Sequence, residues 1–341
     1  MLKPYRRLST VKVRKQIPSA AQRSRRKKVA IACQGGGSHT AFTAGVLSYM
    51  LRQDLDVDII GLSGTSGGAI CAALAWYGLL RGDPKQGAAK LEGFWKANSV
   101  QDPWQIWLND SLVQSMRLRR YVSLPEYNPN FLPMDLGRNM LRDIIARFID
   151  LDDVKAQLSP QSPHLHIGAV DVLTGDFKIF SEQEFSITML LASAAIPNLF
   201  KAVEIDGHFY WDGLFSHNPP VLSLAALHPD EIWVIQINPK ARQILPFSID
   251  DMADRRNELT GNLSLEQDIS FINKINQYVD RGILQGGHNH IDVKRIALQR
   301  ELDYPSKLER RPSFIRGLMA YGEAQAAAFL ADESAPAVAA D

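Results

Sequence analysis

The sequence predicts an α/β fold with parallel strands joined by helices, and two segments near the start of the chain predict it. The first, "KVAIACQGGGSHTAFTAGVLSYMLRQ" (residues 28–53), contains a β-branched apolar run, a glycine loop and an apolar-periodic segment that ends in polar residues. The second, "VDIIGLSGTSGGAICAALAWYGLL" (residues 57–80), repeats this order of strand, sharp turn and helix. Two successive units of this kind require parallel strands with helical crossovers.

The next segment, residues 83–160, is less regular and carries aromatic side chains among Pro and Asn before a predicted helix at 136–150. Such an insertion can form a wall or lid over an apolar pocket, or it can simply pack over the sheet. The residues alone leave both alternatives open. The candidate lining residues of such a pocket are Trp95, Trp104, Trp107 and Phe131.

The second half of the chain continues with strands and helices. Alternation around Thr174-Gly175-Asp176 predicts one hairpin, and the Asp206-Gly207 turn predicts a second. Between them, "ITMLLASAAIPNLF" predicts a buried helix that stops at Pro197, and "EIWVIQINP" (231–239) predicts another buried strand. Beyond residue 240 the pattern indicates loops and amphipathic helices.

The charge of the chain is distributed unevenly. Residues 1–28 carry 11 Lys and Arg and no acidic residue, which leaves 27 basic and 37 acidic residues in the remainder. Such a segment can bind anionic lipid headgroups or nucleic acid, or it can be a solvated, disordered leader without partners. It lacks the apolar stretch of a secretory signal. We expect a disordered basic tail that is a candidate for peripheral membrane contact, and we expect no nucleic-acid partner.

The two cysteines, Cys33 and Cys71, lie in apolar runs without any paired spacing, so neither a disulfide nor a zinc site is predicted. A reducing, cytoplasmic compartment fits this usage best. Residues 59–80 contain no charged residue and are long enough to suggest a membrane span. Because their first half is rich in Gly, Ser and Thr, we interpret them as a buried strand, turn and helix.

Ser66 is the candidate nucleophile. It lies in "GTSGG", where Gly64 and Gly68 flank it at the spacing G-x-S-x-G, with a predicted strand before it and a helix after it. A serine hydroxyl is a weak nucleophile that must be lifted from the packed surface and given a base and an oxyanion site. The strained turn between strand and helix does the lifting, and the helix N-terminus favours negative charge.

The glycine triplet Gly35, Gly36 and Gly37 is the candidate oxyanion site, because glycine lets backbone N–H groups approach a substrate closely. In a parallel sheet this loop and the serine turn face one crevice. A nucleotide site is the alternative. It is disfavoured because the third glycine of G-x-G-x-x-G is replaced by Thr40, and no Gly-Lys-Ser/Thr follows.

The base that would take the serine proton is less clear from residue types. In α/β-hydrolases a histidine comes late in the chain, and His288 and His290 are available. Several strands precede the nucleophile in that fold, however, whereas Ser66 follows only the second recognisable strand. Asp212, in an Asp-Gly turn after a strand, is the remaining candidate, although Asp-Gly is above all a turn signal. His217 also lies nearby, but its "FSHNPP" setting favours a packing role.

Three motifs in this order resemble patatin-like phospholipases and acyl hydrolases: "GGGSHT" (35–40), "GTSGG" (64–68) and "DGL" (212–214), the last preceded by "LLASAAIPNLF". The resemblance covers roughly residues 28–240. It implies a three-layer α/β/α sandwich with a mainly parallel central sheet and a Ser-Asp dyad without a catalytic histidine. It also implies that Ser66 attacks, Asp212 activates it, and Gly35, Gly36 and Gly37 hold the oxyanion.

The resemblance also sets the expected domain organisation. We predict a catalytic domain at residues 29–240, a helical extension packed on it at 241–331, and a frayed tail at 332–341. Two positions depart from the family pattern: His39 stands where Arg or Lys is usual, which weakens the positive charge or makes it pH-dependent, and Leu214 adds bulk beside the base. His39 is a candidate accessory residue that either makes a local hydrogen bond or contacts substrate.

The predicted function is hydrolysis of a lipid or phospholipid ester through an acyl-enzyme, without metal or cofactor. The alternative is a lipid- or membrane-binding module with the same fold and little activity, motivated by the basic tail and the two departures. The sequence leaves the particular lipid, the acyl-chain preference and the oligomeric state open.

Overall fold

The computed structural model of the protein describes residues 26–118, 135–197, 199–242, 244–247, 249–284 and 286–334. The strands are β1 (Lys27–Cys33), β2 (Val57–Gly64), β3 (His164–Asp171), β4 (Phe177–Phe180), β5 (Val203–Ile205), β6 (His208–Asp212), β7 (Glu231–Gln236) and β8 (Asp292–Ala297). The helices are α1 (Ala41–Arg52), α2 (Gly67–Leu80), α3 (Pro84–Asn98), α4 (Pro103–Leu118), α5 (Leu136–Ala146), α6 (Leu151–Gln157), α7 (Ile187–Ser193), α8 (Leu222–Ala225), α9 (Ile249–Asp280) and α10 (Pro312–Ser334).

These strands form one sheet in the order β5-β6-β3-β2-β1-β7-β8, and β4 pairs with β3 outside this path. The run from β3 through β2, β1 and β7 to β8 is parallel, whereas β4, β5 and β6 are antiparallel. The central parallel strands are buried on both faces, as crossover helices require. The prediction of an α/β fold with a mainly parallel central sheet is confirmed.

Two apolar layers lie on opposite faces of this sheet. In β1, Val29, Ile31 and Cys33 join a large cluster with α1, α2, α3 and α10, while Ala30 and Ala32 join a second cluster with α8 and α9. This alternation follows from the two-residue period of a strand. The result is a three-layer sandwich of helices, sheet and helices.

The register of three strands brings the candidate residues to one edge. Cys33 of β1 lies opposite Gly64 of β2, so the loops that follow the two strands are neighbours. On β3, Ile167 pairs with Gly64 and Ala169 pairs with Asp212. The ends of β2 and β6 therefore pair with β3 at positions two residues apart. At the usual rise of a strand, these positions are about 7 Å from each other.

The boundaries of the body differ from the sequence expectation at both ends of the chain. Lys27 and Lys28 belong to β1, and Lys27 Nζ forms a 2.6 Å ion pair with Glu231, so they are part of the sheet and not of a tail. Residues 1–25 and 335–341 lie outside the described residues, and α10 continues to Ser334.

The segment 241–331 contains α9 and α10, but it also supplies β8, which pairs with β7 in parallel. The sequence pattern predicted only helices and loops there. In "DVKRIA" two consecutive cations separate Val293 from Ile296, so this short edge strand lacks the apolar alternation by which a strand is recognised.

The uncharged stretch 59–80 is divided between β2 and α2, which lie in the sheet and in the helical layer beside it. Among the helices that the structure describes, none has the length and apolar composition that crossing a bilayer requires. Cys33 and Cys71 are both buried free thiols, and burial raises the pKa of each.

Candidate functional site

A sharp turn presents Ser66 between the end of β2 and the start of α2. Ser66 has φ 56°, in the left-handed region that residues with side chains rarely adopt. A Cβ on Gly64 would lie 2.6 Å from the Gly68 carbonyl oxygen, and one on Gly68 would lie 2.6 Å from the Gln34 carbonyl oxygen. The close approach of strand and helix around Ser66 therefore requires glycine at both positions.

Ser193, the last residue of α7, fixes the position of this turn through two hydrogen bonds. Its Oγ accepts a 2.9 Å hydrogen bond from the Ser66 N–H and donates a 2.7 Å hydrogen bond to the Gly168 carbonyl oxygen in β3. Ser193 is fully buried. Ser193 was not predicted from the sequence, since a hydroxyl at the end of the mainly apolar helix "ITMLLAS" was its only signal.

Asp212 is the last residue of β6 and is almost completely buried. Its Oδ1 accepts a 2.8 Å hydrogen bond from the Leu214 N–H, which keeps the carboxyl group at the turn. Burial raises the pKa of Asp212 to about 7. The Leu214 N–H, the Ser66 hydroxyl and the charge of Lys307 act in the opposite direction and lower it. A carboxylate with this pKa can accept a proton near neutral pH.

Ser66 and Asp212 line the same cavity, which has a volume of about 610 Å³. Asp212 Oδ2 is buried and makes no hydrogen bond of normal geometry with any described residue. The Ser66 hydroxyl is nevertheless close enough to stabilise the carboxylate and lower its pKa. An unpaired carboxylate oxygen beside a serine hydroxyl is available to receive the hydroxyl proton.

The glycine loop lines the same cavity with all three of its residues. The Gly35 N–H donates a 2.7 Å hydrogen bond to Asn218 Oδ1 and is therefore already occupied. In the described part of the chain, the N–H groups of Gly36 and Gly37 donate to no protein atom. Gly37 has φ 57°, and a Cβ there would lie 2.5 Å from the Lys307 carbonyl oxygen, so only glycine fits. Two of the three candidate oxyanion donors are thus unoccupied.

Gln34 anchors the loop to the neighbouring strand. Its side-chain oxygen accepts hydrogen bonds of 2.8 Å from the N–H groups of Ile237 and Asn238, and its Nε2 donates a 2.9 Å hydrogen bond to Asn262 in α9. Gln34 is fully buried, so these bonds are protected from water. The loop that carries the glycines is held from β1, β7 and α9 at once.

His39 is buried outside the cavity wall, and its Nε2 lies 2.7 Å from Ser306 Oγ. Burial and the nearby Lys307 charge lower the pKa of His39 to about 3, while Asp303 opposes them. The imidazole is therefore neutral near pH 7. The expectation of a pH-dependent positive charge at this position is not met, because the ring titrates far below the physiological range.

Lys307 brings a positive charge to the cavity from a part of the sequence that offered no signal for it. Its Nζ donates a 3.0 Å hydrogen bond to Asn238 Oδ1 and lies 5.0 Å from the centre of the Tyr304 ring. Burial lowers the pKa of Lys307, and the charges of Glu258, Asp254 and Asp212 oppose this lowering. Lys307 lines the cavity with Ser66 and Asp212, and its charge lowers the pKa of Asp212.

The other candidates from the sequence lie elsewhere. Leu214 lines the cavity and approaches Gly261 of α9, while its N–H serves Asp212. His217 packs edge-on against Phe177. His288 and His290 are exposed, and His290 pairs with Asp280 and Asp292 away from the cavity.

The cavity wall is apolar, but its residues differ from those expected. Trp95 is buried in the core, Trp104 and Trp107 are exposed, and Phe131 lies outside the described residues. The aromatic segment therefore contributes none of its three described tryptophans to the cavity. The apolar side chains that do line it are Leu112, Met116, Ile196, Leu199, Leu214, Ala253, Pro305 and Leu308.

A serine turn, a buried carboxyl group and a glycine loop at the carboxyl edge of a parallel sheet are typical of a hydrolase that acts on esters. The family model for patatin-like phospholipases matches residues 31–225, more than half of the chain. The chain therefore belongs to the patatin-like phospholipase family.

The solved structures that are similar to this chain include VipD and ExoU. VipD from Legionella pneumophila is 14% identical with a TM-score of 0.43, and the match covers 90% of this chain and 67% of VipD. The type III effector ExoU, known from Pseudomonas aeruginosa, is 18% identical with a TM-score of 0.35, covering 89% of this chain and 53% of ExoU. The chain thus spans between about half and two thirds of these proteins. A comparison with curated protein sequences found no match.

Proposed function

We propose that this protein cleaves a carboxylic ester bond of a lipid through an acyl-enzyme intermediate, with Ser66 as nucleophile and Asp212 as general base. The observation that carries the proposal is the buried, unpartnered Oδ2 of Asp212 in the cavity that Ser66 also lines. A pKa of about 7 suits Asp212 to accept a proton and return it during one turnover.

In the first half-reaction, Ser66 Oγ bonds to the ester carbonyl carbon while its proton moves to Asp212. The carbonyl oxygen becomes an oxyanion beside the free N–H groups of Gly36 and Gly37. Collapse of the tetrahedral intermediate breaks the bond to the leaving oxygen, which takes the proton from Asp212. The products of this half-reaction are an alcohol and an acyl group on Ser66.

In the second half-reaction, water attacks the acyl carbon and gives a proton to Asp212. The second tetrahedral intermediate uses the same donors, and its collapse breaks the bond between the acyl carbon and Ser66 Oγ, which takes the proton back from Asp212. The products are a carboxylic acid and free Ser66, with Asp212 again ionised. Gly35 serves this mechanism differently from its two neighbours, because its N–H is bonded to Asn218 and positions the loop instead of contacting the oxyanion.

The size of the cavity favours an acyl chain as the part of the substrate that it binds. Its volume of about 610 Å³ lies within the roughly 300–1,000 Å³ of pockets that bind small molecules. The hydrolase is favoured over a binding module of little activity, because His39 bonds Ser306 and Leu214 serves Asp212 through its N–H. Neither departure from the family pattern removes a reacting atom.

The test combines labelling and turnover. A fluorophosphonate should attach to Ser66 in the intact protein, as located by peptide mass spectrometry. Ser66→Ala and Asp212→Ala should each lower hydrolysis of p-nitrophenyl butyrate by at least about a thousandfold. Ser48→Ala is the matched control, because Ser48 is equally buried but lies in α1 outside the cavity. Undiminished turnover in either site variant contradicts the mechanism.

A further inference from the structure

Helix α4 carries apolar side chains on two sides: Val113 is buried against the body, while a second set of apolar side chains is exposed. Five large apolar side chains on it are between 45% and 63% exposed, and we call them the apolar stripe: Trp104, Trp107, Leu108, Leu112 and Leu118. Counted from Trp104, the other four lie three, four, eight and fourteen residues further on, which places all five within roughly 140° of the helix circumference at about 100° per residue. The rings of Trp104 and Trp107 stack, with centroids 4.9 Å apart.

Polar contacts on the opposite side fix this orientation. Asn109 is buried, its Nδ2 donates a 2.8 Å hydrogen bond to the Leu308 carbonyl oxygen, and its Oδ1 accepts a 2.9 Å hydrogen bond from the Arg310 N–H. Arg311 forms a 2.6 Å ion pair with Asp110. A rotation of α4 that buried the apolar stripe would break these contacts, so the exposed tryptophans belong to the folded state.

The apolar stripe is continuous with the candidate active-site cavity. Leu112 belongs to both, and Met116 of the next turn lines the cavity wall. Ala253 and Asn257 in the first turns of α9 line the same cavity. A second run of exposed apolar side chains leads into α9: Ile244, Leu245, Phe247, Ile249 and Met252. Both helices that contribute to the cavity thus carry exposed apolar residues beside it.

We propose that the apolar stripe of α4, together with the exposed apolar residues that lead into α9, docks this protein on the surface of a lipid bilayer. The proposal rests on the proposed function, because it places the cavity against the aggregate that contains a lipid ester. Drawing an acyl chain through water exposes every methylene and is unfavourable. A cavity mouth in contact with the bilayer avoids that exposure.

The side chains and the charge balance both favour this occupant. Tryptophan is enriched at membrane–water interfaces, since its ring is apolar and its N–H remains hydrated. Outside residues 1–28, the chain has 27 basic and 37 acidic residues, so its body is not attracted to anionic lipids. Docking through α4 is therefore driven by apolar burial. It should require no anionic lipid and should resist salt, unlike binding through a basic tail.

The experiment measures co-sedimentation of the full chain with phosphatidylcholine vesicles. The Ser66→Ala variant serves as the parent, so that no lipid is consumed. Adding Trp104→Ser and Trp107→Ser should weaken vesicle binding roughly tenfold or more, while 0.5 M NaCl should leave the parent's binding unchanged. Phe271→Ser is the matched control, because Phe271 is also exposed but lies about 21 Å further along α9 than Asn257.

Several outcomes would overturn docking through α4. The double tryptophan variant could bind vesicles as well as the parent does. Phe271→Ser could weaken binding as much as the tryptophan substitutions do, or 0.5 M NaCl could release the parent from the vesicles. A second copy as the occupant would appear in light scattering as a wild-type dimer that the tryptophan substitutions dissociate. Trp104→Phe with Trp107→Phe should restore binding, which separates docking from a folding defect.

Turnover of soluble p-nitrophenyl butyrate separates this proposal from the proposed function. With Ser66 intact, the double tryptophan variant should hydrolyse this ester at the wild-type rate and lose activity only on vesicles. Vesicle binding without any ester turnover would sink the proposed hydrolysis and leave docking in place. If the double tryptophan variant hydrolyses vesicle lipid at the wild-type rate, the proposed hydrolysis stands and docking through α4 is contradicted.

Discussion

The Gly35 N–H donates a 2.7 Å hydrogen bond to Asn218 Oδ1. Asn218 is fully buried, and its own N–H is held by Ser264 Oγ at 3.1 Å. The loop after β1 is thereby attached to the segment that follows Asp212. This attachment couples the position of the free Gly36 and Gly37 N–H groups to the position of Asp212.

Replacing Asn218 with Ala should lower kcat on p-nitrophenyl butyrate roughly 10- to 100-fold with little change in KM. The loop would lose its anchor, and small displacements of catalytic groups have effects of that size. Ser264→Ala is the control, since it removes the bond to the Asn218 N–H but leaves the Asn218 side chain on Gly35. A kcat that survives in Asn218→Ala would show that the loop needs no anchor.

The activity should depend on the ionisation of Asp212. Because the base must be deprotonated and burial raises its pKa to about 7, kcat/KM should rise about tenfold per pH unit up to about pH 7 and then level off. His39, with a pKa of about 3, should add no step between pH 5 and 9. A profile on a soluble ester that is flat from pH 5 to 8 would remove Asp212 from the role of base.

The parts of this site that could be predicted from sequence are those with local geometric requirements. Ser66 was found because a strand, a glycine-flanked turn and a helix follow one another within ten residues. Asp212 gave only a turn signal until it was seen in order with the other motifs. In both cases neighbouring residues in the chain carry most of the information.

Tertiary contacts account for what could not be predicted. Lys307 reaches the cavity from a segment 241 residues after Ser66, and no local pattern marks a lysine as a cavity residue. Trp104 and Trp107 suggested a pocket wall by composition, yet α4 turns them outward because Asn109 makes its hydrogen bonds on the other side. Which side of a helix faces inward depended here on a partner distant in sequence.

The buried carboxyl group of Asp212 should make the protein less stable at alkaline pH. Its folded pKa of about 7 exceeds the ordinary 3.8, so the folded state holds a proton that the unfolded chain releases between these values. Stability therefore falls as pH rises through this window. Asp212→Asn should stabilise the protein, by about 2 kcal/mol more at pH 8 than at pH 5 in urea unfolding.

Asp171 provides a control of opposite sign. It ends the neighbouring strand β3, and hydrogen bonds from the Thr174 N–H and His208 lower its pKa. Its carboxylate contributes stability above the unfolded pKa, and this stability is lost as pH falls. Asp171→Asn should therefore destabilise the protein at pH 8. If both substitutions shift stability in the same direction, burial of Asp212 is not the cause.

Ser193 should contribute to both stability and catalysis. Ser193→Ala leaves the Ser66 N–H and the Gly168 carbonyl without their buried partner, which should cost about 1–3 kcal/mol of unfolding free energy. The Ser66 turn should also shift, lowering kcat. Ser48→Ala removes only a 3.4 Å hydrogen bond to the Ala88 carbonyl, so it should leave kcat intact. Equal kcat in the two variants would limit Ser193 to a packing role.

The positive charge of Lys307 should help to set the pH at which kcat/KM falls on the acidic side of the profile. Because this charge favours the carboxylate form of Asp212, Lys307→Met should raise the apparent pKa seen in kcat/KM, by up to about one unit. Activity at pH 6 should fall more than activity at pH 9. Lys307→Arg preserves the charge, so its apparent pKa should stay within a few tenths of a unit of the wild type. Two results together would contradict this role: an apparent pKa that is unchanged in Lys307→Met, and loss of activity in Asp212→Asn. They would show that Lys307 supports the fold and does not tune the ionisation of Asp212.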